Sequence, residues 1–151
     1  MAADAWDFYN EFTEYVADGT IDLDADTFNL GLYLSTSNAA TLSTSGRASL
    51  TNQHATANGY TQPGSSLASV TWSRSSGVTT FDSADEVFTA SGGSIVARFA
   101  VIDDDTGTTP VADPLCCYTL LDNTPADVTA TDTNTLTIQM NASGIFTRST
   151  E

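Results

Sequence analysis

The stretch Ser94-Ile95-Val96-Ala97-Arg98-Phe99-Ala100-Val101-Ile102 decides the fold. In an extended chain Ile95, Ala97, Phe99 and Val101 fall on one side and Val96, Arg98, Ala100 and Ile102 on the other, so both faces are largely apolar. A strand of that kind belongs in the middle of a sheet. Gly92-Gly93 precedes it and Asp103-Asp104-Asp105 follows, both turn signals. Upstream, Phe28, Leu30, Leu32 and Leu34 alternate with Asn29, Gly31, Tyr33 and Ser35, predicting a strand over 27–34 with one greasy face. Residues 67–74, with Val70 and Trp72, and 78–81 form the arms of a hairpin around Ser75-Ser76-Gly77. Shorter apolar runs at 86–90, 115–121, around Val128 and at 136–140 bring the total to about seven or eight strands. No alternation of strand and helix appears, so the expected fold class is all-β, an antiparallel β-sandwich.

One helix is expected before the strands. Over 3–18, Trp6, Tyr9, Phe12 and Val16 recur at spacings of three and four, with Asp4, Asp7, Glu11 and Glu14 elsewhere on the wheel. Acids in the first turn suit the helix dipole, and Gly19 supplies a left-handed stop. This aromatic stripe either packs on the protein's own sheet or docks on a neighbouring subunit. Residues 36–63 are polar and small with no apolar period, which predicts a long loop; such loops are usually functional or ordered by a partner. The chain of 151 residues is therefore read as one domain, 1–151, with an amphipathic helix at 3–18 and a sandwich at 27–147 interrupted by that loop.

Charge narrows the partners. Nineteen acids against four basic residues, all arginine, give a formal net charge of −15. Such a chain is poorly suited to nucleic acid or an anionic membrane surface. No apolar run approaches the roughly 20 residues of a membrane span. The acidic N-terminus, Met1-Ala2-Ala3-Asp4-Ala5, is unlike a signal peptide, so export by that route is not expected. Cys116 and Cys117 are adjacent, a spacing that suits neither an unstrained disulfide nor a zinc site and points to packing or a reducing compartment. The seven Phe, five Tyr and two Trp set between turn signals argue for an ordered core rather than disorder. All the acid lies outside 27–81, a segment that holds Arg47 and Arg74. Folding either keeps this partition, as a neutral to weakly basic patch on an acidic body, or interleaves the two classes.

Chemistry finds little purchase. Asp22, Asp24 and Asp26 have the opening spacing of a calcium loop, but Thr27 stands where glycine is needed and Tyr33 where the bidentate glutamate belongs. Loose calcium binding by these three, or by Asp103, Asp104 and Asp105, stays open. His54 is the sole histidine and no Gly-x-Ser-x-Gly elbow exists, so neither a transition-metal centre nor a catalytic triad is predicted. Gly92-Gly93-Ser94 lacks the Gly-Lys of a phosphate loop. Paired carboxylates of the glycosidase kind depend on a separation that sequence does not give. Exposed Trp6, Tyr60 or Trp72 would suit a glycan-binding module. No catalytic residue, cofactor or resident metal is assigned, and an enzyme is not expected.

Several runs carry a resemblance across most of the chain. They are Thr89-Ala90-Ser91-Gly92-Gly93-Ser94 leading into the strand above and Asp103-Asp104-Asp105-Thr106, then Asp113-Pro114-Leu115, Leu120-Leu121-Asp122, Asn134-Thr135-Leu136-Thr137-Ile138 and Asn141-Ala142-Ser143-Gly144-Ile145-Phe146. The N-terminal half adds Asp18-Gly19-Thr20-Ile21-Asp22-Leu23, Asn58-Gly59-Tyr60 and Val70-Thr71-Trp72. Together they resemble a family of small virion proteins of tailed bacteriophages. The resemblance implies a structural role in the virion, assembled in the host cytoplasm. The expected function is a capsid decoration, or cement, protein that binds the major capsid protein or other virion proteins, as a homo-oligomer with a trimer favoured. A tail, neck or head-fibre component of the same particle is the alternative. The contact residues expected from stripe and loop are Trp6, Tyr9, Phe12, Arg47, His54 and Tyr60.

Overall fold

Alternating residues become paired strands, and every ladder among the described residues is antiparallel. A computed structural model describes residues 5–122 and 126–149. Its elements are β1 (Asp7–Phe8), α1 (Phe12–Asp18), β2 (Phe28–Tyr33), a 3₁₀ turn (Arg47–Ser49), β3 (Ser65–Ser66), β4 (Thr71–Ser75), β5 (Val78–Asp82), β6 (Glu86–Thr89), β7 (Ile95–Ala97), β8 (Phe99–Asp104), β9 (Leu115–Leu120), β10 (Val128–Ala130), β11 (Thr135–Ile138) and β12 (Phe146–Ser149). The fold is all-β with a single α-helix, as expected. The strands form a five-stranded sheet in the order β1, β9, β8, β2, β3, two pairs (β10 with β7, β11 with β6) and a three-stranded sheet β12, β5, β4. No helix among the described residues is long and apolar enough to cross a membrane.

Among the described residues there are twelve short strands where seven or eight were expected. The deciding stretch is itself cut at Arg98: β7 pairs with β10, and β8 runs between β2 and β9. At the break the Arg98 N–H donates to the Tyr33 carbonyl at 2.7 Å and its own carbonyl accepts from Leu121 N–H at 2.9 Å. One apolar segment thus serves two sheets, which explains why both of its faces are greasy.

The helix is shorter than the aromatic spacing implies. It begins at Phe12, whereas Asp7 and Phe8 lie opposite Tyr118 and Cys117 as the edge strand of the large sheet. Residues 3 and 4 of the expected helix lie outside the described residues. Ladder bonds to β9 satisfy the backbone before Tyr9, so a spacing that fits one long helix resolves into strand, turn and two helical turns. Gly19, at φ 82°, ends the helix as expected.

Register assigns the faces of the large sheet. Phe28, Leu30, Leu32, Ala100 and Ile102 point into the main core, where Phe81, Phe88, Ile95, Leu136 and Ile138 from the smaller sheets meet them. This is the two-layer arrangement of a sandwich. Tyr33, Phe99 and Val101 point the other way, into a second cluster with Tyr9, Ala39 and Tyr118. The polar loop 36–63, which supplies Ala39, covers that face, so it is an ordered part of the fold. Cys116 and Cys117 are unpaired and buried, and burial pushes both thiols up, away from reactivity.

The loop is tied to β2 along its length. Leu34 N–H donates to Asn52 O and His54 N–H to Leu32 O. Gly64, at positive φ, lies directly against the Leu30 carbonyl, where any side chain would collide. Tyr60 is the deepest tie: its Oη accepts from the Leu32 N–H at 3.0 Å and from Gln53 Nε2 at 2.9 Å, while its ring sits in the main core. Tyr60→Phe leaves a buried backbone N–H of β2 unpaired and is expected to cost about 1–3 kcal/mol. Urea unfolding checks this; an unchanged midpoint would show that the hydroxyl is dispensable.

Candidate functional site

The six expected contact residues do not share a surface. Tyr9 is buried; its Oη donates to the Ala39 carbonyl at 2.6 Å, and burial drives the phenol well above its ordinary value. Phe12 is buried between Phe8, stacked at 5.4 Å, and Phe146, edge-on at 5.6 Å. Trp6 is half-buried against the main core. His54 is buried 5.2 Å from the Tyr60 ring, with Nδ1 2.8 Å from the Ala55 carbonyl oxygen. Tyr60 itself is 2% exposed, which leaves no face for a sugar ring. The aromatic stripe therefore packs on the protein's own sheets.

Arg47 is enclosed by carboxylates. Its Nη1 donates to Asp103 Oδ2 at 2.6 Å and to Asp105 Oδ1 at 2.9 Å, and its Nη2 lies 2.9 Å from Asp113 Oδ2. Asp103 and Asp105 stand at the end of β8, Asp113 just before β9 and Arg47 in the loop's 3₁₀ turn, so the cluster pins loop to sheet. The three carboxylates are close enough together to ligate a metal, but the guanidinium binds them instead. At Arg47 the acid-free segment is thus interleaved with the acidic half. Burial pushes the Asp103 carboxyl up to about 7 against the pull of Arg47.

The other cations lie differently. Register places Trp72, Phe81 and Phe146 in one row across β4, β5 and β12, and Arg74, Thr79 and Arg148 in a second row toward the hairpin tip. Residues two apart on a strand share a face, so both rows lie on the same side of this sheet. The first row enters the core and the second extends beyond it, where Arg74 and Arg148 are exposed. Among the described residues neither pairs with a carboxylate. Phe8, 38% exposed, packs edge-on against Phe146 at 5.1 Å. Two grooves flank this pair, the first mostly apolar and the second lined by polar and apolar groups alike. One, of about 210 Å³, is lined by Phe12, Val16, Trp72 and Arg148 among others; the second, of about 500 Å³, by Trp6, Leu136, Ile138 and Met140. An exposed aromatic and two exposed arginines thus lie on one face of a body of net charge −15. Sequence reasoning missed Phe146 and Arg148, because Phe146-Thr147-Arg148-Ser149 carries too little apolar character to mark a strand.

Comparison of the chain with protein-family models, with curated proteins and with solved structures finds no match.

Arg47→Ala leaves the buried Asp103 carboxyl without its cation and compensated only by a proton, and is expected to destabilise the fold by about 1–3 kcal/mol, measured by chemical unfolding. Stability should also respond to pH. Asp103 and Asp104 hold their protons more tightly in the folded chain, at about 7 and about 6 against an ordinary 3.8. Between those limits the folded state binds more protons at these two groups than the unfolded one, so their contribution to stability is fullest below about pH 4 and is lost as pH rises to 6 and 7. Denaturant melts across that range in metal-free buffer check the sign; a rise in stability over the same interval would contradict it.

Proposed function

We propose that the protein is a structural component of a tailed-bacteriophage particle, a decoration protein that binds and stabilises the assembled head. The exposed Phe8 and Arg148 at a mostly apolar groove, with Arg74 one strand further across the same face, are the observation that carries the reading onto this structure. The motifs that resemble small virion proteins of tailed bacteriophages suggest the class of particle. The mechanism is adhesion. Aromatic burial supplies contact energy, and the two guanidiniums select an acidic counterpart on the coat. The remaining surface keeps densely displayed copies mutually repulsive and soluble. A modest affinity per copy, multiplied over a lattice that one oligomer bridges, then resists internal pressure.

Phe8, Arg74 and Arg148 are exposed, so substituting them tests docking without emptying the core. Purified protein is mixed with assembled heads lacking it, and bound copies are counted by sedimentation. Phe8→Ser and the double variant Arg74→Glu, Arg148→Glu should each bind at least about tenfold more weakly, with unchanged circular dichroism. Wild-type binding should weaken with salt. Equal binding by all three proteins would place the contact on another face, and no binding by the wild type would end the decoration reading.

A further inference from the structure

A second acidic centre lies on the opposite face of β8 from Arg47. The β2 to β8 register sets Phe28 opposite Asp104, which brings the run Asp22, Asp24, Asp26 beside Asp103, Asp104, Asp105. The junction is rigidly tied: Asp105 N–H donates to Thr27 O at 2.9 Å, Thr27 N–H to Thr106 Oγ1 at 2.9 Å, and the two threonine hydroxyls lie 3.0 Å apart. Asp104 is wholly removed from solvent. Its Oδ1 accepts from Thr106 N–H at 2.8 Å and Gly107 N–H at 3.2 Å, while its Oδ2 has no hydrogen-bond partner among the described residues. The carboxyl facing it is Asp26, near enough to exchange a hydrogen bond if a proton were present. Asp26 already accepts the Asp22 N–H at 2.6 Å.

Two carboxylates facing each other, one of them buried, require something positive between them. Asp103 has a guanidinium; Asp104 has none. We propose that Asp26 and Asp104 together hold a hard divalent cation of the calcium class where β2 begins and β8 ends. The chemistry fits: calcium takes six to eight oxygens in irregular geometry and accepts carboxylates together with water. An open groove of about 520 Å³, lined by Asp18, Thr20, Asp22, Asp26, Thr106 and Gly107, reaches Asp26 and leaves room for that water, with Asp104 buried behind its wall. Asp22 and Asp18 add negative charge along the way. A proton shared between the two carboxyls is the competing solution, and calcium titration separates the two. Neither acidic run makes the site alone; the strand pairing assembles it from one residue of each.

Calorimetric titration with calcium chloride and thermal unfolding test this on the full chain, for the wild type, Asp26→Asn, Asp104→Asn and Asp113→Asn. The wild type should bind one calcium and gain roughly 5 °C in Tm at saturating calcium. Asp26→Asn and Asp104→Asn should lose both responses, whereas Asp113→Asn, altered only in the Arg47 cluster, should keep them. In chelator Asp104→Asn should melt no lower than the wild type, since its amide is not repelled by Asp26. A wild type with neither heat nor shift overturns the proposal, even if its stability varies with pH near 6, the signature of a shared proton. Calcium binding lost in Asp113→Asn but retained in Asp104→Asn overturns it too, by moving the ion to the other face. Head binding plays no part in these readouts.

Discussion

Two consecutive carboxylates, Asp103 and Asp104, are buried at the end of the central strand on opposite faces of the sheet. Burying charge is tolerated only where something compensates it, so each aspartate dictates what surrounds it. On one face Arg47 meets Asp103, and because Arg47 belongs to the long loop, that contact fastens the loop over the second core cluster. On the other face Asp104 turns toward the start of β2, where backbone amides satisfy one oxygen and the Asp26 carboxyl confronts the other. The register of β2 on β8 and the cover of the sheet both converge on this pair.

The chain's large negative charge thus has two different fates. Part of it is drawn inward and neutralised, by a guanidinium on one side and, in our proposal, by a cation on the other. The rest stays in water and leaves Arg74 and Arg148 as an exposed positive pair beside Phe8, Trp72 and Phe146. On a strongly acidic protein this is a place where apolar and positive character coincide. In the proposed virion role that contrast fixes which end faces the coat.

How much of this was legible beforehand follows from what periodicity measures. Alternation in 27–34 located β2 and an apolar run in 94–102 located β8, because each is six residues long; the second face of β2, expected to be polar, is buried too, since the loop covers it. The two-residue strands β1 and β3 have no period to show. Trp6, Tyr9 and Phe12 have helical spacing, yet the strand pairing of Asp7 and Phe8 with β9 outweighs it. The same limit governs the site. Apolar and aromatic spacing reports burial, so Tyr9, Phe12 and Tyr60 surfaced as candidates and proved to be core. Arg74 and Arg148, which flank Thr79 in one row, and Asp26 and Asp104 are 74 and 78 residues apart in the chain and are brought together only through register. The acidic runs were visible singly; their meeting was not.

The account stands or falls on orientation within the particle. A density map of the intact phage, with this chain fitted, shows which end of the sandwich touches what. The account predicts copies on the outer head lattice, with Phe8, Arg74 and Arg148 buried against an acidic and apolar coat surface and the groove of Asp18 and Asp22 toward solvent. A map in which that end points to solvent, or in which the chain has no density on the head, would contradict it.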